Sequence, residues 1–276
     1  MSAPRPAAPA PEPLPAACLD SHCHLDMIEA TVPEILDQAR AAGLTRVVTV
    51  GVDLATSRWV ADCAAQHRDV YAAVAIHPNE TARAASSAAG RDAVLDELAG
   101  LAGQPDVRAI GETGLDYYRD SAPAEVQAQW FRAHIALARQ TGKALMIHDR
   151  DAHADVLRIL AEEGAPDQVI FHCFSGDAEL AKRCAEAGYL MSFAGTVTFS
   201  NAPQLREAAR VAPAELILAE TDAPFLTPVP NRGKLNAPAQ VAHTIRALAA
   251  VRGQDVSELC DTIAANAERV FGPWQA

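Results

Sequence analysis

Positive charge is in short supply in this chain: 23 Lys and Arg stand against 35 Asp and Glu, a formal net charge of -12 over 276 residues. That balance excludes a protein that grips nucleic acid over a broad basic surface, because such binding draws its strength from many phosphate contacts. A nucleic-acid substrate would need a locally basic mouth or metal ions. The six cysteines, at 18, 23, 63, 173, 184 and 260, contain no C-x-x-C pair. They show no short-scaffold spacing either, so a reduced protein fits best and the expected location is the cytoplasm. No uncharged apolar run approaches the roughly 18 residues of a membrane span. The first 17 residues hold six Pro and six Ala but no continuous apolar stretch. They read as a disordered leader rather than a signal peptide.

From Leu19 onward, short β-branched runs alternate with longer Ala/Leu/Arg-rich stretches of helical period, the pattern of repeated βα units and a parallel sheet. Eight strands are predicted, near 18–22, 46–50, 70–75, 107–111, 143–147, 168–172, 189–193 and 215–219. Helices centre on 33–42, 54–66, 91–101, 123–140, 153–163, 177–187, 203–210 and 238–250, with a last amphipathic stretch at 256–270. Eight units without a linker predict one TIM (β/α)8 barrel over 18–276. No G-x-G-x-x-G follows the first strand, which argues against a doubly wound dinucleotide fold.

In Asp20-Ser21-His22-Cys23-His24-Leu25-Asp26 two histidines stand at i and i+2, so one strand places both imidazoles on the same side. Reading the strand ends in turn adds Glu112 after the fourth, His148 after the fifth, His172 after the sixth and Asp222 after the eighth. In a barrel these six converge on one face. Four imidazoles and two carboxylates suit two divalent ions held about 3.5 to 4 Å apart by a spanning carboxylate. A single strand-end histidine is more often a satisfied polar group, and Asp222 before Ala223-Pro224 fits a turn. Six such residues coinciding on one face outweigh that reading. A carboxylated lysine is the other way to bridge two metals in a barrel, but the chain has only Lys143, Lys182 and Lys234. None is placed for it, whereas Glu112 is. Cys23 and Cys173 flank ligands but point to the opposite strand face and read as packing residues.

These segments resemble the TatD-type metal-dependent hydrolases, often described as TatD DNases, from Leu19 to about Phe271. The resemblance rests on the first histidine segment, Ile76-His77-Pro78-Asn79-Glu80, Ile110-Gly111-Glu112-Thr113-Gly114-Leu115-Asp116-Tyr117, Ile147-His148-Asp149-Arg150-Asp151-Ala152, His172-Cys173-Phe174-Ser175-Gly176 and Glu220-Thr221-Asp222-Ala223-Pro224-Phe225-Leu226. Pro230-Asn231-Arg232-Gly233-Lys234 stands where the family carries a P-x-R-G-K loop. It implies two divalent ions (Mg, Mn or Zn) ligated by His22, His24, Glu112, His148, His172 and Asp222, with Glu112 bridging. It also implies hydrolysis of DNA phosphodiesters, usually 3′ to 5′ on single strands. The chain departs from the family at Asn236-Ala237-Pro238, where a Glu usually occupies the middle position.

His77, set extended by Pro78, reads equally as a substrate contact or a structural histidine. Arg150, Arg232 and Lys234 are candidates for holding phosphate oxygens, or else solvated loop charges, with Asp149 and Asp151 as possible ion-pair partners. Tyr117 and Tyr118 are candidates for stacking a base or capping the barrel mouth. The expected mechanism is two-metal activation of water, with Asp222 orienting or deprotonating it. The alternative keeps the site and changes the electrophile to an ester or amide, such as an aminoacyl-tRNA ester.

Overall fold

Strand β3 (Val70–Val74) is buried at every position, as a strand must be when one side lines a barrel and the other lies under helices. The computed structural model describes residues 5–86 and 90–273. In it β3 is one of eight parallel strands hydrogen-bonded in sequence order, with β1 (Cys18–Cys23), β2 (Leu44–Val50), β4 (Val107–Asp116), β5 (Ala144–Arg150), β6 (Val169–Phe171), β7 (Leu190–Phe193) and β8 (Ile217–Ala219). Between and after them run α1 (Val32–Ala41), α2 (Leu54–Gln66), α3 (Thr81–Ala85), α4 (Gly90–Ala102), α5 (Ala124–Thr141), α6 (His153–Glu163), α7 (Ala178–Glu186), α8 (Pro203–Val211), α9 (Val241–Arg252) and α10 (Val256–Phe271). This is the TIM barrel that the repeated βα pattern predicts.

Local signals set the helix starts. Thr31 accepts from the Glu34 amide while the Glu34 carboxylate accepts from the Thr31 amide, and Asp53 and Thr56 repeat the arrangement at α2. Both are capping boxes, which satisfy amides that the first helical turn leaves unpaired.

The barrel closes at its C-terminal end. His24 N donates to Ala223 O at 2.8 Å, Asp222 N donates to His22 O at 3.0 Å, and Cys23 bridges Ala223. On the same seam the Ser21 hydroxyl donates to Ala219 O at 3.0 Å. Closure therefore joins the two segments that carry His22, His24 and Asp222.

Three features differ from the sequence reading. Strand β4 runs ten residues, so Glu112 lies within it, and His148 likewise lies within β5. Helix α3 was absent from the predicted elements. The larger correction is the leader. Residues 1–4 lie outside the described residues, but residues 5–17 lie against the barrel. Leu235 N donates to Pro6 O at 2.9 Å, Ala8 N to Leu235 O at 3.3 Å and Leu14 N to Ala42 O at 2.9 Å, and Leu14 is buried. Composition speaks to how much apolar surface a segment can bury; it says nothing of backbone hydrogen bonds made by a chain whose prolines already fix φ.

Candidate metal centre

The i, i+2 spacing places His22 and His24 side by side, Nε2 to Nε2 at 3.3 Å. The Nδ1–H of His24 donates to Val50 O at 3.0 Å, which leaves its Nε2 lone pair facing the site. His22 turns Nδ1 toward Met146 Sδ at 3.1 Å. Asp222 sits in the left-handed region at φ 52°, unusual for a residue with a Cβ, and is held there by the barrel closure. Its Oδ1 lies 3.7 Å from His22 Nε2 and 3.4 Å from His24 Nε2; Glu112 Oε1 lies 3.8 and 3.5 Å from the same two atoms. Four donors around an ion about 2.1 Å away sit roughly 3.4 Å apart. His22, His24 and Glu112 therefore form a triplet spaced for one divalent cation, with Asp222 Oδ1 beside the same two nitrogens.

The other oxygen of Glu112 faces a second group. Oε2 lies 2.7 Å from His172 Nε2 and 3.4 Å from His148 Nδ1, and those two nitrogens are 3.3 Å apart. Among the described residues it accepts no well-aligned hydrogen bond although it is buried. A buried carboxylate oxygen facing two imidazoles calls for positive charge beside it, which protonated imidazoles or a bound cation would supply. All six predicted ligands are brought together, and Glu112 is the residue common to both halves. His77 completes a triplet with Glu112 and His148, its Nε2 3.8 Å from Glu112 Oε2.

Each half of the site is backed by partners that sequence reasoning left without a role. His148 turns Nε2 to Asp116 Oδ2 at 3.3 Å, and His172 turns Nδ1 to Glu220 Oε1 at 3.3 Å. Such carboxylates fix the tautomer and orientation of a ligating imidazole. Asp20 accepts from the amide and hydroxyl of Thr221, tying β1 to the segment that bears Asp222. A signal was present: Asp20 and Glu220 stand two residues before His22 and Asp222. Lys143, by contrast, donates to Val107 O at 2.7 Å and has no part in the site.

The sequence profile of the family described as TatD related DNase matches residues 19–272. The chain belongs to the TatD family. A Mycobacterium tuberculosis protein named "Uncharacterized metal-dependent hydrolase TatD" is 46% identical over 92% of this chain and 97% of its own length. Bacillus subtilis YabD, also an uncharacterized metal-dependent hydrolase, is 36% identical over 91% of this chain and 98% of its own. Among solved structures, the TatD homologue YjjV of Escherichia coli superposes with a TM-score of 0.85 at 26% identity, covering 92% of this chain and 97% of that one. The protein is thus a TatD-family metal-dependent hydrolase.

In this TatD-family site the charge is already distributed for a cation. Burial opposes ionisation of Glu112, but the facing His172 holds its carboxyl well below the usual range. Burial likewise works against protonation of His24, yet Asp222 and Glu112 lift it to about 9. His172 is raised against the same burial by Glu112 and Glu220. His22 goes the other way, lowered by burial and by the neighbouring His172, and burial takes His77 down to about 3. The carboxylates thus favour the protonated forms of His24 and His172, and a cation bound there would take the place of those protons.

The rim carries the remaining predicted residues. Arg150 lies 4.0 Å over the ring of Tyr118, which is 65% exposed, and Arg232 lies 4.2 Å over Phe199. Lys234 donates to Asn231 Oδ1 at 3.1 Å. None of the three makes an ion pair among the described residues; Asp149 pairs instead with His153 at 2.7 Å. Tyr117 donates to Asp155, whereas Phe225 is 50% exposed with its ring 6.1 Å from that of His24. Cys23 is buried as expected and Cys173 is half-buried.

Proposed function

We propose that this TatD-family hydrolase cleaves DNA phosphodiesters, shortening single strands from the 3′ end, with two divalent ions divided by Glu112. The observation that carries this reading is the split carboxylate, with Oε1 toward His22 and His24 and Oε2 toward His148 and His172. Bound there, two such ions would polarise a phosphoryl group and make a water acidic enough to attack near neutral pH.

The chain's own residues would do the rest. Asp222, hydrogen-bonded through its backbone at the barrel closure, orients the attacking water and accepts its proton. Nδ1 of His77 accepts the Asn79 amide at 3.0 Å, so its proton sits on Nε2 and donates toward a phosphate oxygen. Arg150, Arg232 and Lys234, without carboxylate partners among the described residues, supply a locally basic mouth on an acidic chain. The exposed Phe225 and Tyr118 offer faces for unstacked bases, which favours a strand end over a duplex. Six free cysteines suit a reducing cytoplasm, and among the described residues no helix is long and apolar enough to cross a membrane.

The test is product analysis with metal-loaded protein on oligonucleotides labelled at the 3′ or the 5′ end, beside an aminoacyl ester. Stepwise loss from the 3′ end is expected. Internal cuts in circular single-stranded DNA would defeat the exonuclease assignment, and turnover of the ester alone would move the function to the alternative electrophile.

A further inference from the structure

The prolines at 6, 9, 11, 13 and 15 do more than lie on the surface. The segment spans the seam between the first and last units of the barrel. Pro6 and Ala8 pair with Leu235 in the loop that follows β8, Leu14 pairs with Ala42 at the end of α1, and Arg246 of α9 donates to Pro13 O at 2.9 Å between them. Pro6 and Leu14 are eight residues apart, so a polyproline-like chain reaches about 25 Å at ~3.1 Å per residue, enough to run down a barrel wall. The lower anchor is built for contact. Gly43 has φ +92°, and a Cβ there would stand 3.1 Å from Leu14 Cβ.

The upper anchor leads to the rim of the site through a chain of side-chain amides. Gln240 Nε2 donates to Pro9 O at 2.9 Å, which turns its Oε1 toward Asn231. Asn231 Nδ2 donates to that Oε1 at 3.0 Å, and this turns Asn231 Oδ1 outward, where it accepts Lys234 Nζ at 3.1 Å. Gln240 and Asn231 are both buried, so water offers no easy substitute for either bond. Each amide has one donor end and one acceptor end; fixing one fixes the next.

We infer that the segment 5–14, which lies outside the region matched by the family, is a positioning strap that sets Lys234 through Gln240 and Asn231. It acts on the loop and not on the ligands. The loop has ties of its own: Asn236 to Phe225 O and Thr221 O, Thr227 to Lys234 O, the turn bonds Asn231 N to Pro228 O and Lys234 N to Asn231 O, and Asn231 Nδ2 facing His243 Nε2 at 3.4 Å; the strap adds, through Gln240, a hold on the Asn231 side chain that receives the Lys234 ammonium. The consequence for substrate rests on the proposed phosphodiesterase activity, with Lys234 receiving phosphate.

Three proteins test this: a variant lacking residues 1–12, which keeps the Leu14 anchor; full-length Gln240→Met, which keeps volume and removes both amide bonds; and their combination. Circular dichroism establishes that each is folded. Relative to the full chain, tryptic cleavage after Lys234 should accelerate about tenfold, and the Leu235 amide should lose its exchange protection in the truncated protein. KM for a single-stranded oligonucleotide should rise about fivefold, a part of what a charge-assisted hydrogen bond contributes, with kcat and bound metal unchanged. The combined variant should be no worse than the more affected single one, because both break one relay. Unchanged cleavage and exchange on truncation, a fall in kcat with KM constant, or additive effects in the combination would each overturn the strap. If the full chain cleaves no oligonucleotide, the proposed activity falls while exchange and proteolysis still decide the strap.

Discussion

The two halves of the metal centre are built on different support. At β1 and β8, His24 leans on a backbone carbonyl and His22 on a thioether. At β5 and β6, His148 and His172 lean on the carboxylates of Asp116 and Glu220. A neutral acceptor only orients an imidazole, whereas a carboxylate also raises its basicity and adds negative charge behind the ligand. The β5/β6 half has two nitrogens and one oxygen from Glu112, against two nitrogens and two oxygens at the other, so the outer carboxylates restore charge where the inner set has less. The β5/β6 half should therefore depend on the carboxylates behind its imidazoles, whereas the imidazoles of the β1 half lean on neutral groups.

The largest effect should follow from removing the group that the halves share. Glu112→Gln keeps the shape and loses the charge, so both halves should lose metal with the barrel intact. Turnover should fall about a hundredfold or more, followed by elemental analysis, circular dichroism and rate. A variant that kept its metal and more than about a tenth of its activity, a loss under roughly 1.4 kcal/mol of barrier, would make Glu112 a neighbour and not a bridge.

Glu220→Gln sharpens the comparison. Its carboxylate is buried and accepts the Cys173 amide at 2.7 Å, while Oε2 makes no well-aligned hydrogen bond among the described residues. Neutralising it should weaken the β5/β6 half by about 10- to 100-fold in metal affinity and leave the β1 half near its original value. A metal titration would resolve this as one weakened and one unchanged phase. Equal weakening of both would erase the distinction. Asp116→Asn should act in the same direction but less, by about tenfold or under, because Asp116 already divides its oxygens among Asn79, His148 and the amides of Tyr118 and Arg119. An Asp116→Asn effect larger than that of Glu220→Gln would reverse the order of support.

The inner ligands could be read from the chain because each announces itself by type and by place at a strand end. The barrel was legible for the same reason, since period-two and period-3.6 patterns are local. What lay hidden is relational. Glu220 and Asp116 stood in view within recognised segments, but a carboxylate backs a particular histidine only once β7 has joined β6 to β8, or β4 has been laid beside β5. Gly114 makes that last approach possible: a Cβ there would stand 2.1 Å from the His148 carbonyl oxygen. The strap was hidden for another reason, since its bonds are to backbone and amide groups that carry no compositional signature.

The smallest effect separates histidines that serve the site from one that does not. His134 is fully buried outside it; Nε2 accepts the Ile76 amide at 3.3 Å, Nδ1 faces the Thr113 hydroxyl at 2.8 Å, and burial takes it down to about 3. An unfolded histidine gains its proton near 6.5 and folded His134 does not, so below that pH the unfolded chain binds more protons and stability falls as acid is added. His77, lowered to about 3, acts in the same direction. His24 has the opposite sign: raised to about 9, it contributes stability that is fully present below 6.5 and lost as pH rises through 9. Melting temperatures measured with a chelator from pH 6.5 down to about 5, where carboxylates are still ionised in the unfolded chain, should therefore decline. The decline should be shallower in His134→Gln, whatever that variant's stability at neutral pH. An unchanged slope would mean that the acid limb belongs to the site and not to the histidine behind it.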